Sequence, residues 1–502
     1  MKEMKLPTLQ TKSTENTYRP KILLLSDDIN STSGVGNMAR EFVLNTLDRF
    51  NWVQIAAAKK HSQHGKILDL SKQSAELTGV SDAYLKLYPN NGYGDPELLR
   101  LIIDMERPDV ILHFTDPRFW GWLYGMKDEI EHKYRIPIAY YAIWDNLPYP
   151  FWNIGAYESC DMIMGISKQS HQIHKAVLEH YNVSIVDLTT TDKSEYNVGD
   201  VLLNYVPHGV SHTHFRPIIE NDADFKEFSE FKSNFKAQHG NGMVFFWNNR
   251  NITRKHPSDL IHAFDHFCNM LDEDQDEPIL IMHTDPKDPN GTDLIAVKRA
   301  IAPNRNVLFS TERLERKFMN FYYNLADVTV NVASNEGFGL SSLESLMAGT
   351  PVINNVTGGL QDQMRFEDSN GNWLNSSYKV PTNSRKYSRS CGRWAFPIYP
   401  KTQTLRGSLA TPYIFEDIAS IEDIADAMDI AYHAQDSLEG WGLKGRDWVM
   451  SDEANMTAEK MSQSIADSLD ILMEVWKPKR RVQLLKFEDR EKITDNGIKI
   501  NQ

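Results

Sequence analysis

Cysteine is scarce. Cys160, Cys268 and Cys391 are the only three in 502 residues, and their scatter suits neither a disulfide framework nor a zinc site. A chain of that kind fits a reducing compartment. Long apolar runs are also missing. The longest, around residues 136–144, is far too short to span a bilayer. The first twenty residues are polar and do not read as a signal peptide. The expectation is a cytoplasmic protein with no membrane partner. Positive charge falls short of negative by 14, so the surface as a whole repels nucleic acid and anionic lipid. A nucleic-acid partner would have to meet a local basic patch. Metal ligands are not clustered, so no metal is expected: the acidic run 272–276 reads as a solvated loop, and His208, His212 and His214 read as hinge residues.

What is present is a repeated alternation of apolar strands and amphipathic helices. Residues 21–26 form a continuous apolar run of parallel-sheet type, followed by the loop Ser33-Gly-Val-Gly36 and a helical pattern over 37–47. Further strands are expected at 53–57, 110–114, 136–143 and 162–166. The alternation restarts near residue 243, with strands at 243–247, 279–283, 307–309, 328–332 and 351–354 and helices at 257–268 and 340–347. The class is therefore α/β, with two doubly wound Rossmann-like domains facing across a cleft. We expect a disordered lead over 1–20, an N-terminal acceptor domain over 21–206 and a nucleotide-sugar domain over 207–453. A helix over 454–476 would pack back on the first domain.

The chemistry concentrates in Asn335-Glu-Gly-Phe-Gly-Leu-Ser-Ser-Leu-Glu344. It follows a strand and opens a helix. Gly337 and Gly339 allow close backbone approach. The N–H groups from Gly339 through Leu340 and Ser341 to Ser342 would sit at a helix N-terminus, a natural site for a diphosphate. Glu344, one turn in, could accept from ribose hydroxyls. Glu336, on the loop, could meet the transferred sugar.

This segment resembles the retaining family 4 glycosyltransferases (glycosyl transferases group 1), whose hallmark is Glu, seven residues, then Glu in a Glu-Gly-Phe-Gly context. Ala348-Gly-Thr-Pro-Val-Ile353, Gly358-Gly359, Asn249-Arg-Asn-Ile-Thr-Arg-Lys255 and the linker 207–217 are similar to the same family, as is the loop holding Gly34 and Gly36. The resemblance covers roughly residues 21–365. It implies the GT-B arrangement and a metal-independent transfer that keeps the anomeric configuration. It also implies a nucleotide-diphosphate sugar as donor, a UDP-sugar first, with no further cofactor. Arg250 and Lys255 would hold the diphosphate, and Phe338 would belong to the donor loop. The chain departs from the family at Trp144-Asp145, where His-Asp is usual, at His256, where Gly is usual, and at Ser211, where Asp is usual. Asp145 then remains as the acceptor-side catalytic residue. An epimerase, a phosphorylase or a non-catalytic sugar-nucleotide-binding protein on the same fold explains the motif less well.

Acceptor candidates are His113 and Asp116, at the end of the strand 110–114. Phe119, Trp120, Trp122 and Tyr124 could stack on an acceptor but suit core packing better. Residues 369–415 hold seven Lys or Arg and no Asp or Glu, with interleaved aromatics. Arg385, Arg389, Arg393 and Trp394 there suit phosphate contacts and base stacking. The chain also looks like the glycosyltransferases of large tailed bacteriophages. Together these raise DNA as a partner, with a hydroxymethylcytosine hydroxyl as acceptor. A glycan, a lipid-linked sugar or a small molecule is the alternative.

Overall fold

Strand Lys21–Asp27 buries Ile22, Leu23, Leu24 and Leu25 completely, as a strand covered on both faces must. It sits at the middle of a nine-stranded sheet, flanked by Asn51–Lys59 and Val110–Phe114, both parallel to it. Ile138–Ala142, Met162–Gly165 and Val201–Tyr205 continue the sheet on one side, and Leu85–Asn91 on the other. The computed structural model describes residues 18–272, 275–374 and 390–479. Most of the expected lead, and two residues of the acidic run 272–276, lie outside them.

The second domain has a six-stranded parallel sheet. Its order runs Asn306–Ser310, Ile279–His283, Val244–Asn248, Val328–Asn331, Val352–Asn355, Ala395–Ile398. Helices Pro257–Cys268 and Leu340–Met347 have the bounds expected from the sequence. Pro257 starts the first of them, where a missing N–H costs nothing.

The last helix, Ala458–Val475, crosses back to the first domain and packs on helix Gly34–Leu44. Arg49 meets Asp467 at 2.9 Å, and Asn204 donates to Ser468 at 2.9 Å. The crossing is zipped to the linker: Val210 N–H donates to Met456 O, and Ala458 N–H donates to Val210 O. No helix among the described residues is long and apolar enough to cross a membrane.

One element departs from the alternation. Strands Thr402–Ser408 and Thr411–Ile418 form an antiparallel hairpin outside both main sheets. It belongs to the second domain but reaches the first. Phe415 N–H donates to Leu147 O, the Tyr413 hydroxyl donates to Tyr149 O at 3.1 Å, and the Tyr413 ring stands edge-on to Trp152 at 4.3 Å.

Candidate active site

The carboxyl ends of both sheets open on one cleft of about 550 Å³. Two helix N-termini meet there. Helix Gly34–Leu44 starts at the first-domain wall, capped by Ser33, whose hydroxyl accepts from Gly36 N–H at 3.0 Å and donates to Asp27 at 2.6 Å. Helix Leu340–Met347 starts opposite. A Cβ on Gly34 would stand only 3.6 Å from Leu340 Cδ1. Gly36 is packed against Ser31 and the Asp28 carbonyl, so a side chain there would collide. Two positive helix ends pointing into one cleft suit a diphosphate.

The loop before the second helix is over-determined. Gly339 takes φ +92, a conformation that disfavours a side chain, and a Cβ there would run into Leu360. Gly359 N–H donates to Glu336 O at 3.1 Å, and Gln363 donates to Phe338 O at 2.7 Å. A Cβ on Gly358 would overlap the Glu336 carbonyl, which is the physical reason for a double glycine here. Phe338 is buried edge-on to His208 at 5.5 Å. Gly337 closes on the other domain: a Cβ there would lie 3.2 Å from Ile166 and 3.8 Å from Asp145 Oδ2.

Glu336 is ion-paired with Lys255, and both are largely buried. Burial, then the Arg254 guanidinium, push the Lys255 ammonium well below its usual range, while Asp145 opposes them. Asp145 is shifted upward by burial against the pull of Arg254 and Lys255. Arg254 lines the cleft and donates to Asn335 O at 2.9 Å. Glu344 lies deeper, taking the Tyr323 hydroxyl at 2.7 Å, and burial raises it to about 7. Ser341, in the first turn of the same helix, is buried.

The structure thus brings Gly34, Asp116, Asp145, Glu336, Gly337, Phe338, Gly339 and Leu340 to one cleft, with Lys255 behind Glu336. Other described candidates are turned away from it. Arg250 is turned outward, its side chain 61% exposed and paired with Asp288 at 2.6 Å. His113 does not face the cleft. It is fully buried, shares a 2.7 Å hydrogen bond with the Tyr124 hydroxyl, stacks on Tyr140 at 4.9 Å, and burial lowers it to about 3. The sheet is covered on both faces, so a polar strand residue can point into a core as readily as to an edge. Trp394 is also core: it donates to Gln363 O at 3.0 Å and stacks near Trp448. Arg393 is exposed and away from the cleft lining. Arg385 and Arg389 lie outside the described residues. The three linker histidines diverge: His208 bonds Tyr141, His212 faces Glu459 and His214 faces Arg316.

Sequence reasoning left out several lining residues. Arg254, one before Lys255, reaches the cleft that Arg250 does not. Arg118 pairs with Asp116, bonds Thr411 across the domains and lies 5.4 Å from the Trp144 ring. The hairpin supplies Arg406, Ser408, Thr411 and Glu416. Its signal was legible: two alternating runs separated by the short turn Leu409-Ala410.

Two Rossmann-like domains with a ligand-sized cleft between their strand ends define a GT-B fold. Residues 228–380 match the family pattern of the Glycosyl transferases group 1. Among solved structures, Anabaena HepE in complex with UDP and glucose aligns at 12% identity and TM-score 0.58, over 90% of this chain and 100% of that one. Sucrose-phosphate synthase from Thermosynechococcus elongatus aligns at 14% and 0.59, over 91% and 100%. An E. coli structure described as trehalose-6-phosphate bound with UDP-2-fluoro glucose aligns at 10% and 0.59, over 89% and 98%. At these identities the likeness is one of fold. No curated protein sequence matches the chain.

Proposed function

We propose that the protein is a retaining glycosyltransferase that moves a sugar from a nucleotide diphosphate, a UDP-sugar first, to an acceptor hydroxyl without a metal ion. The observation that carries this reading is the convergence of two helix N-termini, Arg254 and Lys255 on Glu336 and Asp145 in one cleft. The family match over 228–380 and the UDP ligands of the fold neighbours support it. As the glycosidic bond to the diphosphate breaks, negative charge grows on the departing phosphate. Arg254, Lys255 and the helix ends stabilise that charge where it develops. Glu336 holds the sugar. Asp145 stands on the acceptor side, the departing phosphate oxygen takes the acceptor hydroxyl's proton as the hydroxyl oxygen bonds the anomeric carbon, and the interdomain contacts position both reactants.

Hydroxymethylcytosine in DNA is the less favoured acceptor. The described rings of 369–415 are packed: Trp373 stands on Trp448, Trp394 is buried, and Tyr413 meets Trp152. Each of these three rings is engaged with another ring or the core. The reading is tested by a thermal-shift screen of nucleoside diphosphates, where a ligand at 100 times its Kd adds about 2.7 kcal/mol. Donor hydrolysis is then measured with and without a chelator. Stabilisation by one diphosphate and chelator-resistant hydrolysis are expected. A chain that no nucleoside diphosphate stabilises refutes the reading, and strict dependence on a divalent ion refutes the metal-independent mechanism.

A further inference from the structure

Phe119 is 51% exposed, although its neighbour Trp120 is fully buried. Its ring lies flat on Tyr93, with centroids 4.5 Å apart and planes within 6°. Tyr93 in turn stands edge-on to Trp120 at 5.9 Å. The loop presenting Tyr93 follows strand Leu85–Asn91 and is bracketed by Gly92 and Gly94, both at positive φ. Gly94 is wedged close to Trp122, and Gly92 O accepts from Ala58 N–H. The ring pair is therefore held before any ligand arrives, so a ligand would lose little affinity to ordering it.

This pair adjoins the cleft. Phe119 N–H bonds Asp116 O at 3.4 Å, and Asp116, Pro117 and Arg118 line the cleft wall. Carboxylates face it on the cleft side, and Lys59, beside the strand end that leads into this loop, is paired with Asp28 at 2.6 Å. The Tyr93 hydroxyl is pushed upward by burial, then by the carboxylates of Asp27 and Asp116. Arg118, next to Phe119 in the chain, is paired with Asp116 and its guanidinium lies over Trp144. An exposed aromatic face beside carboxylates repels a phosphate backbone. It suits a pyranose, whose C–H face lies on the ring and whose hydroxyls donate to the carboxylates.

We propose that the Tyr93–Phe119 stack is a subsite for an uncharged sugar ring, and that the acceptor is a saccharide chain leaving the cleft past Asp116 across this edge. The proposal rests on the transferase reading of the cleft. Its test uses the full chain with maltopentaose, cellopentaose and chitopentaose, followed by saturation-transfer NMR and calorimetry, alongside a duplex oligonucleotide. One pentaose is expected to bind. Phe119→Ala and Tyr93→Ala should weaken it about tenfold, Phe119→Trp should restore it, and UDP affinity should be unchanged in all three. The subsite is overturned if no pentaose binds at millimolar concentration, if Phe119→Ala binds as the parent does, or if the duplex binds more tightly than every pentaose. Pentaose binding that depends on Phe119, in a chain that binds no nucleoside diphosphate, upholds the subsite and removes the transferase reading. Nucleotide binding without pentaose binding removes the subsite alone.

Discussion

Replacing Glu336 with Gln removes the negative charge in direct contact with Lys255. Lys255 must then keep its proton in a buried place facing Arg254, or release it. Breaking a buried ion pair from one side costs about 3–5 kcal/mol. Release sets a ceiling: an ordinary lysine near pKa 10.4 gives up its proton at pH 7.5 for about 4 kcal/mol, at roughly 1.4 kcal/mol per unit. The expected loss for Glu336→Gln at pH 7.5 therefore stays under about 4 kcal/mol, because the parent already holds Lys255 below its ordinary value. Its pH dependence follows from the further lowering of Lys255 once the carboxylate in contact with it is gone. A lysine depressed in the folded state leaves the unfolded chain holding more protons, so stability rises with pH up to the unfolded value. The deficit should shrink between pH 7.5 and 10. Urea denaturation across that range measures it. A deficit that stays constant with pH, or is absent, refutes the paired assignment. The same variant should lose sugar transfer while retaining UDP binding by calorimetry, and transfer at the parental rate refutes its role at the sugar.

Arg254→Ala should weaken UDP binding by about 1.5–3 kcal/mol, the worth of a charged hydrogen bond, whereas the outward Arg250→Ala should cost under about 1 kcal/mol; the reverse order in calorimetry would restore the role the family gives Arg250. Glu344, raised to about 7, binds a proton in the folded state that the unfolded chain releases near 4.3, so its contribution is intact below that and is lost as pH rises to about 7. Glu344→Gln should then gain up to about 3 kcal/mol at pH 8 but not at pH 4; equal gains at both pH values in denaturant melts would refute the titration. Gly339→Ala, at φ +92 against Leu360, should lose on the order of 2–3 kcal/mol and most transfer activity, whereas Gly371→Ala, also at positive φ but in open space, should lose less in the same melts.

The sequence by itself determined both Rossmann-like sheets and the centre of the cleft. Runs such as Ile22 to Leu25 can only be strands covered on two faces, and Pro257 and Gly339 mark where helices start. The spacing of Glu336 and Glu344 placed one acid on the loop and the other a turn into the helix, because that is local geometry. Strands Leu85–Asn91 and Val201–Tyr205 escaped notice, since Lys86, Pro89, Asn90 and Asn204 interrupt the apolar runs by which the other strands were read. Only the tertiary structure decided which way side chains turn. Val110, Leu112 and Phe114 face one core and Ile111 with His113 the other, so position at a strand end did not tell that His113 is sealed against Tyr124 and Tyr140. Arg250 and Arg254 share one loop, and a long-range partner, Asp288, takes the first away from the cleft. Trp373, Trp394 and Tyr413 met Trp448 and Trp152, residues far along the chain, and so became packing and a hairpin wall. Local sequence fixes backbone conformation and periodicity, whereas side-chain direction depends on contacts made only when distant segments meet.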